Sequence, residues 1–238
     1  YRTAVDVSCA TFAAPVVRPA DQSSPAHRVV GEAMVLCGVA TAAFCVEHRL
    51  AAPFRGQPPP KQPPLPAGLY TEPADIRSMI RHMSPASAGT RPTPHSTLGV
   101  AAYVQASSPL RRYLDLLVQQ QLIAALHGEP PPHSANDVER AIGKSRSTSA
   151  KYRRAQRKAE QYFTLLHMSQ RGLGVKYSSQ LVVDISRKGR KIAFIEPLSV
   201  EVDLNAWSGD EGSWVTVQID EIDVLGGNVR GRVVDEDG

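Results

Sequence analysis

The stretch Ser107-Ser108-Pro109-Leu110-Arg111-Arg112-Tyr113-Leu114-Asp115-Leu116-Leu117-Val118 constrains the fold more than any other part of the chain. It reads as a helix start: Ser108 can cap with its hydroxyl, Pro109 at the first helical position gives up no needed N–H, and Gly128 followed by Pro130 closes the helix after His127. Between these marks Leu114, Leu116, Leu117, Val118, Leu122, Ile123 and Leu126 go nearly all the way round, which predicts a helix buried on most sides. Its first turns differ. Arg111, Asp115 and Gln119 recur every four residues in one polar stripe, with Arg112 beside it. Cations at the positive end of a helix dipole cost about 0.3–1 kcal/mol each, so two arginines there need a compensating anion. A phosphate held by helix N–H groups and a guanidinium fork supplies one; an Arg111–Asp115 pair on a solvated face is the plainer alternative.

Composition sets outer bounds. A chain of 238 residues can bury one large or two smaller cores. It starts at Tyr1, and the expectation is a segment of a longer protein. Pro and Arg are read as interrupting every long apolar run before the roughly 20 residues that span a bilayer, so a soluble protein with no membrane partner is expected. The three cysteines are odd in number, and Cys37 and Cys45 would lie about 12 Å apart on one helix, too far to bridge. A reducing, cytoplasmic setting follows. The net charge of +4 is modest, but its positive part is concentrated in one segment.

Taken in order, residues 1–22 read as short apolar pieces of a sheet broken by Pro15 and Pro19. Ser24-Pro25 opens a helix through about Leu50 whose Val29, Val30, Ala33, Met34, Leu36, Val39, Ala40 and Phe44 suggest a core element. Glu32 lies within that apolar set, four residues after Arg28, where an ordinary ion pair is one reading. The proline-rich 53–66 predicts an extended connection, 75–83 a short helix and 85–94 a loop. After Pro130-Pro131-Pro132, Ser134 with Asp137 makes a capping-box start for a helix to about Arg171. Along it Lys144, Arg146, Lys151, Arg153, Arg154, Arg157 and Lys158 crowd around a narrow apolar seam. So few acids offset them that contact with backbone phosphates competes with a merely solvated face. From Lys176 the period becomes two, and five short strands at 179–185, 191–195, 200–203, 214–223 and 228–234 suit an OB-type barrel. Phe194, Trp207 and Trp214 could stack bases there or serve the core.

His95-Ser96-Thr97-Leu98-Gly99, then Tyr103, then Ala106 through Leu117 closely resembles the late signature of the ribonuclease II/ribonuclease R (RNB) family, exoribonucleases that degrade RNA from its 3′ end. Gln119 stands where that family usually has His, a departure touching packing or supporting hydrogen bonds more than the arginines. Val29-Val30-Gly31-Glu32-Ala33-Met34-Val35-Leu36 resembles the segment before the family's RNA channel, whose Glu contacts the 3′ ribose; a carboxylate there can accept from a 2′-hydroxyl. Arg153-Arg154-Ala155-Gln156-Arg157-Lys158-Ala159-Glu160 resembles the segment whose Glu clamps the 3′ nucleotide. Phe54-Arg55-Gly56-Gln57-Pro58 is similar to a feature of the bacterial ribonuclease II branch, and Leu181 through Gly189 to the start of the terminal S1 domain.

The resemblance implies an α+β architecture: residues 1–174 as the helical C-terminal portion of an RNB-type catalytic domain, and 175–238 as an S1/OB-type barrel. It implies magnesium-dependent 3′→5′ hydrolysis releasing nucleoside 5′-monophosphates, with Arg111 neutralising charge in the transition state. Glu32, Arg112, Lys151, Arg154, Arg157, Lys158 and Glu160 are expected to contact single-stranded RNA. Nothing matches the family's D-x5-D-x-D-D aspartate group, so no metal ligand is assigned here. The magnesium ligands are expected upstream of Tyr1, in the other half of the same catalytic domain. The rival reading is a non-catalytic RNA-binding protein that keeps channel and barrel.

Overall fold

A computed structural model describes residues 5–9, 15–19, 24–61, 66, 68, 70, 72–184, 190–205 and 209–234. The elements run β1 (Val5–Cys9), β2 (Pro15–Pro19), α1 (Pro25–Glu47), β3 (Phe54–Gly56), α2 (Pro73–His82), β4 (Ser87–Gly89), a 3₁₀ turn (Ser96–Leu98), α3 (Tyr113–Leu126), α4 (Ala135–Gln170), β5 (Lys176–Asp184), β6 (Arg190–Ile195), a second 3₁₀ turn (Glu196–Leu198), β7 (Val200–Leu204), β8 (Trp214–Asp223) and β9 (Asn228–Val234). Contacts group these into two compact units: Ser23–Pro63 with His82–Tyr152, and Tyr1–Gln22 with Pro64–Arg81 and Arg153–Gly238.

The first unit holds α1, β3, β4, α3 and the first half of α4. Phe54–Gly56 lies where an extended connection was expected, and instead pairs antiparallel with Ser87–Gly89. Ala42, Cys45, Leu50, Ala52, Phe54, Val104, Ala106 and Val118 form its main core, and Leu117, Val138 and Ala141 a second cluster. Burial pushes the Cys45 thiol up to about 11, so it packs as a neutral apolar group. α1 is apolar on all sides, and therefore its pattern does not say which side faces inward. Gly38, Thr41, Ala42 and Cys45 are the buried ones. Gly38 must be glycine, since a Cβ there would lie 2.1 Å from the Tyr103 ring.

Two expectations for these helices are corrected. Val29, Val30 and Leu36, read as core, are exposed, Leu36 by 69%, because within the described residues nothing covers that side of α1. Nor is every long apolar run interrupted: α1 is long and apolar enough to cross a membrane by length and composition, with Glu32 the one charge between Val29 and Val46. α3 likewise leaves Tyr113, Leu116, Ile123 and Leu126 exposed on one stripe while Leu117, Val118, Gln121 and Ala124 are buried. It ends as predicted: Gly128, at φ 71°, donates to Ala125 and Glu129 donates to Ala124, the paired bonds of a Schellman cap. α4 begins on the predicted capping box, the Asp137 N–H donating to Ser134 Oγ and the Ser134 N–H to Asp137 Oδ2.

The second unit holds the β1–β2 hairpin, α2, the rest of α4 and the barrel. The five predicted strands close in the order β5-β6-β7-β9-β8, antiparallel except for β7 with β9. Alternate residues Ala193, Ile195, Val200, Val202, Val217, Ile219 and Val229 join Val17 of β2 and Leu165 and Met168 of α4 in one core. Gly231 permits a close approach there, since a Cβ would lie 2.5 Å from the Gln218 carbonyl oxygen.

Candidate active site

Arg111 and Arg112 are held on different terms. The chain reaches α3 through a turn at Pro109–Arg111, in which the N–H groups of Arg111 and Arg112 donate to the Ser108 carbonyl at 3.3 and 3.0 Å. Arg112 has φ −127° and ψ 111°, so its backbone is extended and the helix starts at Tyr113. The sequence expectation is thereby corrected: Ser108 does not cap α3, and both arginines precede its first turn. Ser and Pro favour turns as much as helix starts. Here the turn prevails because an acid inside the helix satisfies the donors ahead of it.

That acid is Asp115, 1% exposed. Its Oδ2 accepts from the Ser108 N–H at 2.9 Å, from Arg112 Nε at 2.9 Å and from Arg112 Nη2 at 2.6 Å. Arg112 Nη2 also donates to Ser107 Oγ at 3.3 Å, and Gln119 Nε2 donates to the Ala106 carbonyl at 2.8 Å. Such charge-assisted bonds are roughly twice as strong as neutral ones, and Asp115 adds a favourable negative charge in the first helical turn. The Arg111–Asp115 pair weighed from sequence spacing does not form. Arg111 is exposed, and among the described residues its side chain has no hydrogen-bond or ion-pair partner. Leu110 beside it is fully exposed. The result is a fixed turn carrying a permanently charged fork of five donors that nothing in the described chain occupies.

The other expected site residues are distributed along two helices. Glu32 is exposed on α1, and no ion pair joins it to Arg28 among the described residues. Lys151, Arg154 and Lys158 are exposed on α4 at i, i+3 and i+7, one stripe, with Arg153 and Arg157 exposed beside it. Glu160 is half-buried and accepts from Gln156 Nε2 at 2.8 Å. By the division above, Glu32, Arg111, Arg112 and Lys151 belong to the first unit and Arg154, Arg157, Lys158 and Glu160 to the second. On the barrel Trp214 is half exposed, whereas Phe194 is buried with Val182 and Ile192; Trp207 and 185–189 lie outside the described residues. Tyr103 packs beside His95, whose imidazole is held below its ordinary pKa by burial and by the nearby Arg55 charge.

Asp115 is the functional side chain that sequence reasoning placed in the wrong partnership. Its signal was an acid two residues into a helix that follows a Ser-Pro turn. Among the described residues no three His, Cys, Asp or Glu side chains group to hold a metal. Asp115, the acid bonded to the arginine turn, spends one oxygen on three donors. The described donor set therefore does not fit a magnesium ion.

The RNB domain family matches residues 69–128, a span that includes the arginine turn and all of α3. An uncharacterized ribonuclease of Synechocystis is 36% identical over 146 residues, covering 60% of this chain and 22% of the relative. The chloroplastic/mitochondrial ribonuclease II of Arabidopsis thaliana is 30% identical over 238 aligned positions, covering 92% of this chain and 29% of the relative. The chain thus spans less than a third of the length of these relatives. Among solved structures, the Dss1 exoribonuclease of Candida glabrata aligns over 96% of the chain with a TM-score of 0.79 at 20% identity, using 31% of that protein. Mycoplasma genitalium RNase R, solved with ribose-methylated single-stranded RNA, aligns over 98% with a TM-score of 0.75 at 16% identity, using 46% of it. These last two establish likeness of fold.

Proposed function

We propose that this chain, whose residues 69–128 match the RNB domain family, is the later portion of a cytoplasmic 3′→5′ exoribonuclease of the ribonuclease II branch of the ribonuclease II/ribonuclease R family. Residues 1–174 complete the catalytic domain, and 175–238 form an S1-type RNA-binding barrel. The observation that carries the reading is the Arg111 turn: a permanent cation, unpaired among the described residues, on a backbone fixed by the Asp115 bonds. A guanidinium so placed stabilises the charge that develops on a phosphorus centre as the last phosphodiester breaks. The exposed stripe of Lys151, Arg154 and Lys158 binds the RNA backbone, with Arg157 beside it. Glu32 recognises the terminal ribose, and Glu160 the 3′ nucleotide. A divalent cation would be held by carboxylates outside these 238 residues and, when bound, would activate the attacking water. The exposed apolar sides of α1 and α3 are where that remaining polypeptide packs.

Two measurements test this. In the complete protein, Arg111→Ala should lower kcat about 10²–10³-fold with RNA affinity little changed, and Arg111→Lys should also fail because an ammonium cannot reproduce the fork. Near-normal turnover of either variant refutes the role. The 238-residue chain alone should bind single-stranded RNA weakly and degrade none with magnesium or manganese, activity returning when the upstream polypeptide is supplied. Metal-dependent degradation by the purified chain alone overturns the assignment of the metal site.

A further inference from the structure

We infer that Asp115, Arg112 and Gln119 form a positioning clasp that presents Arg111, and that Arg112 serves this clasp and not the RNA. The inference rests on the exoribonuclease reading and adds to it which side chains make Arg111 effective.

The two arginines are neighbours of the same type, so only their surroundings separate them. Arg112 directs Nε and Nη2 at the buried Asp115 Oδ2, and Nη2 at Ser107 Oγ as well. Its Nε–Nη2 edge is thereby spent and only Nη1 is left over, so a phosphate could take the bidentate edge only by displacing Asp115, which would leave a carboxylate 1% exposed without its counter-charge. Arg111 faces no such cost.

The clasp grips the backbone on both sides of the turn. Gln119 holds the carbonyl of Ala106, Asp115 holds the N–H of Ser108, and Arg112 connects Asp115 to the Ser107 hydroxyl. Leu110 is fully exposed and contributes no packing within the described chain. Beyond the φ that Pro109 fixes and the two backbone bonds to the Ser108 carbonyl, the direction of Arg111 depends on these few polar bonds. There is an electrostatic part too. Asp115 takes its counter-charge from Arg112 and not from Arg111. By neutralising Asp115, Arg112 leaves Arg111 its full charge for an incoming anion.

The test is a double-mutant cycle in the complete protein, measuring kcat and KM on single-stranded RNA together with the salt dependence of RNA binding. Asp115→Asn and Arg112→Gln should each lower kcat about 10²-fold, the loss that a misplacement near 1 Å causes, with KM and salt slope unchanged. In an Arg111→Ala background neither should cause a further loss of that size, because the group they position is already gone. A full second loss in that background overturns the inference. So does an Arg112→Gln variant with weakened binding, a shallower salt slope and unchanged kcat, the signature of a phosphate contact. If either variant does not fold, Ser107→Ala and Gln119→Met, each removing one bond, replace it. Their expected losses are about 3- to 10-fold in kcat, non-additive with Arg111→Ala, and unchanged kcat in both overturns the inference. Normal turnover of Arg111→Ala by itself defeats the exoribonuclease role of Arg111, and the clasp with it. An inactive Arg111→Ala beside fully active clasp variants defeats only the clasp.

Discussion

Gln121 is wholly buried in the middle of α3 and is the junction of three segments. Its Nε2 donates to the carbonyls of Ala51 and His133, both at 2.9 Å, and its Oε1 accepts from the His133 N–H at 3.1 Å. Gln121→Leu keeps the volume and removes all three bonds. At a net 0.5–1.5 kcal/mol per bond the loss is about 1.5–4.5 kcal/mol. The extra apolar burial of Leu offsets about 1 kcal/mol, and water can reach the partly exposed His133. A destabilisation centred on about 2 kcal/mol remains. In a domain of this size that lowers Tm by about 4–8 °C, measurable by circular dichroism and by the denaturant midpoint. Gln121→Glu sharpens the test. Its carboxylate would face two carbonyl oxygens in a buried site, so its pKa must rise on folding. The folded state then binds the proton more tightly, and stability should increase as pH falls through the folded pKa, a trend that Gln121→Leu cannot show. Gln121→Leu within about 0.5 kcal/mol of the parent, or a Gln121→Glu variant with the parent's pH dependence, would refute this account of the junction.

Replacing Lys151, Arg154 and Lys158 together by Gln should reduce the slope of log binding constant against log salt by about 2 for single-stranded RNA, at about 0.7 per phosphate contact; filter binding at several salt concentrations measures it, and an unchanged slope removes the stripe from the RNA path. Asp137 is held down to about 2 from 3.8, first by the Ser134 hydroxyl, then by the Ser134 N–H and Arg140. Its contribution is therefore complete above the ordinary value and lost as pH falls from 3.8 toward about 2, and melting curves of Asp137→Asn should lack that part of the acid transition. Gly38→Ala would drive a methyl into the Tyr103 ring and should cost about 1–3 kcal/mol, read from the denaturant midpoint, with Gly38→Ala/Tyr103→Leu recovering part of it.

Local chemistry was legible in the sequence where it was self-contained. Ser134 and Asp137 satisfy each other across three residues, and so the start of α4 lies where the capping box placed it. The alternation of β5 to β9 reports one wet and one dry face, and the barrel followed. The start of α3 was misplaced because Ser108 and Pro109 suit a turn and a helix cap equally. What decides between them is Asp115, seven residues on, accepting from the Ser108 N–H. The same bond pattern separates Arg112 from Arg111, a distinction that residue type cannot carry. The exposed sides of α1 and α3 were unreadable for a different reason. Apolar residues all round a helix state that it is meant to be covered, and not which part of the chain covers it.

The barrel closes on a short seam. Among the described residues β7 and β9 pair only at Asp203–Arg230 and Leu204–Gly231, whereas β8 and β9 pair at seven positions on either side of a bulge. A ring of strands is as secure as its least-bonded junction, and here that junction is also the parallel one, joining segments far apart in sequence. Opening should therefore begin there. In hydrogen exchange, the amides bonded across β7 and β9 would lose protection at a lower free energy than those between β8 and β9. An open barrel would present two bare strand edges, each a template for pairing with another chain.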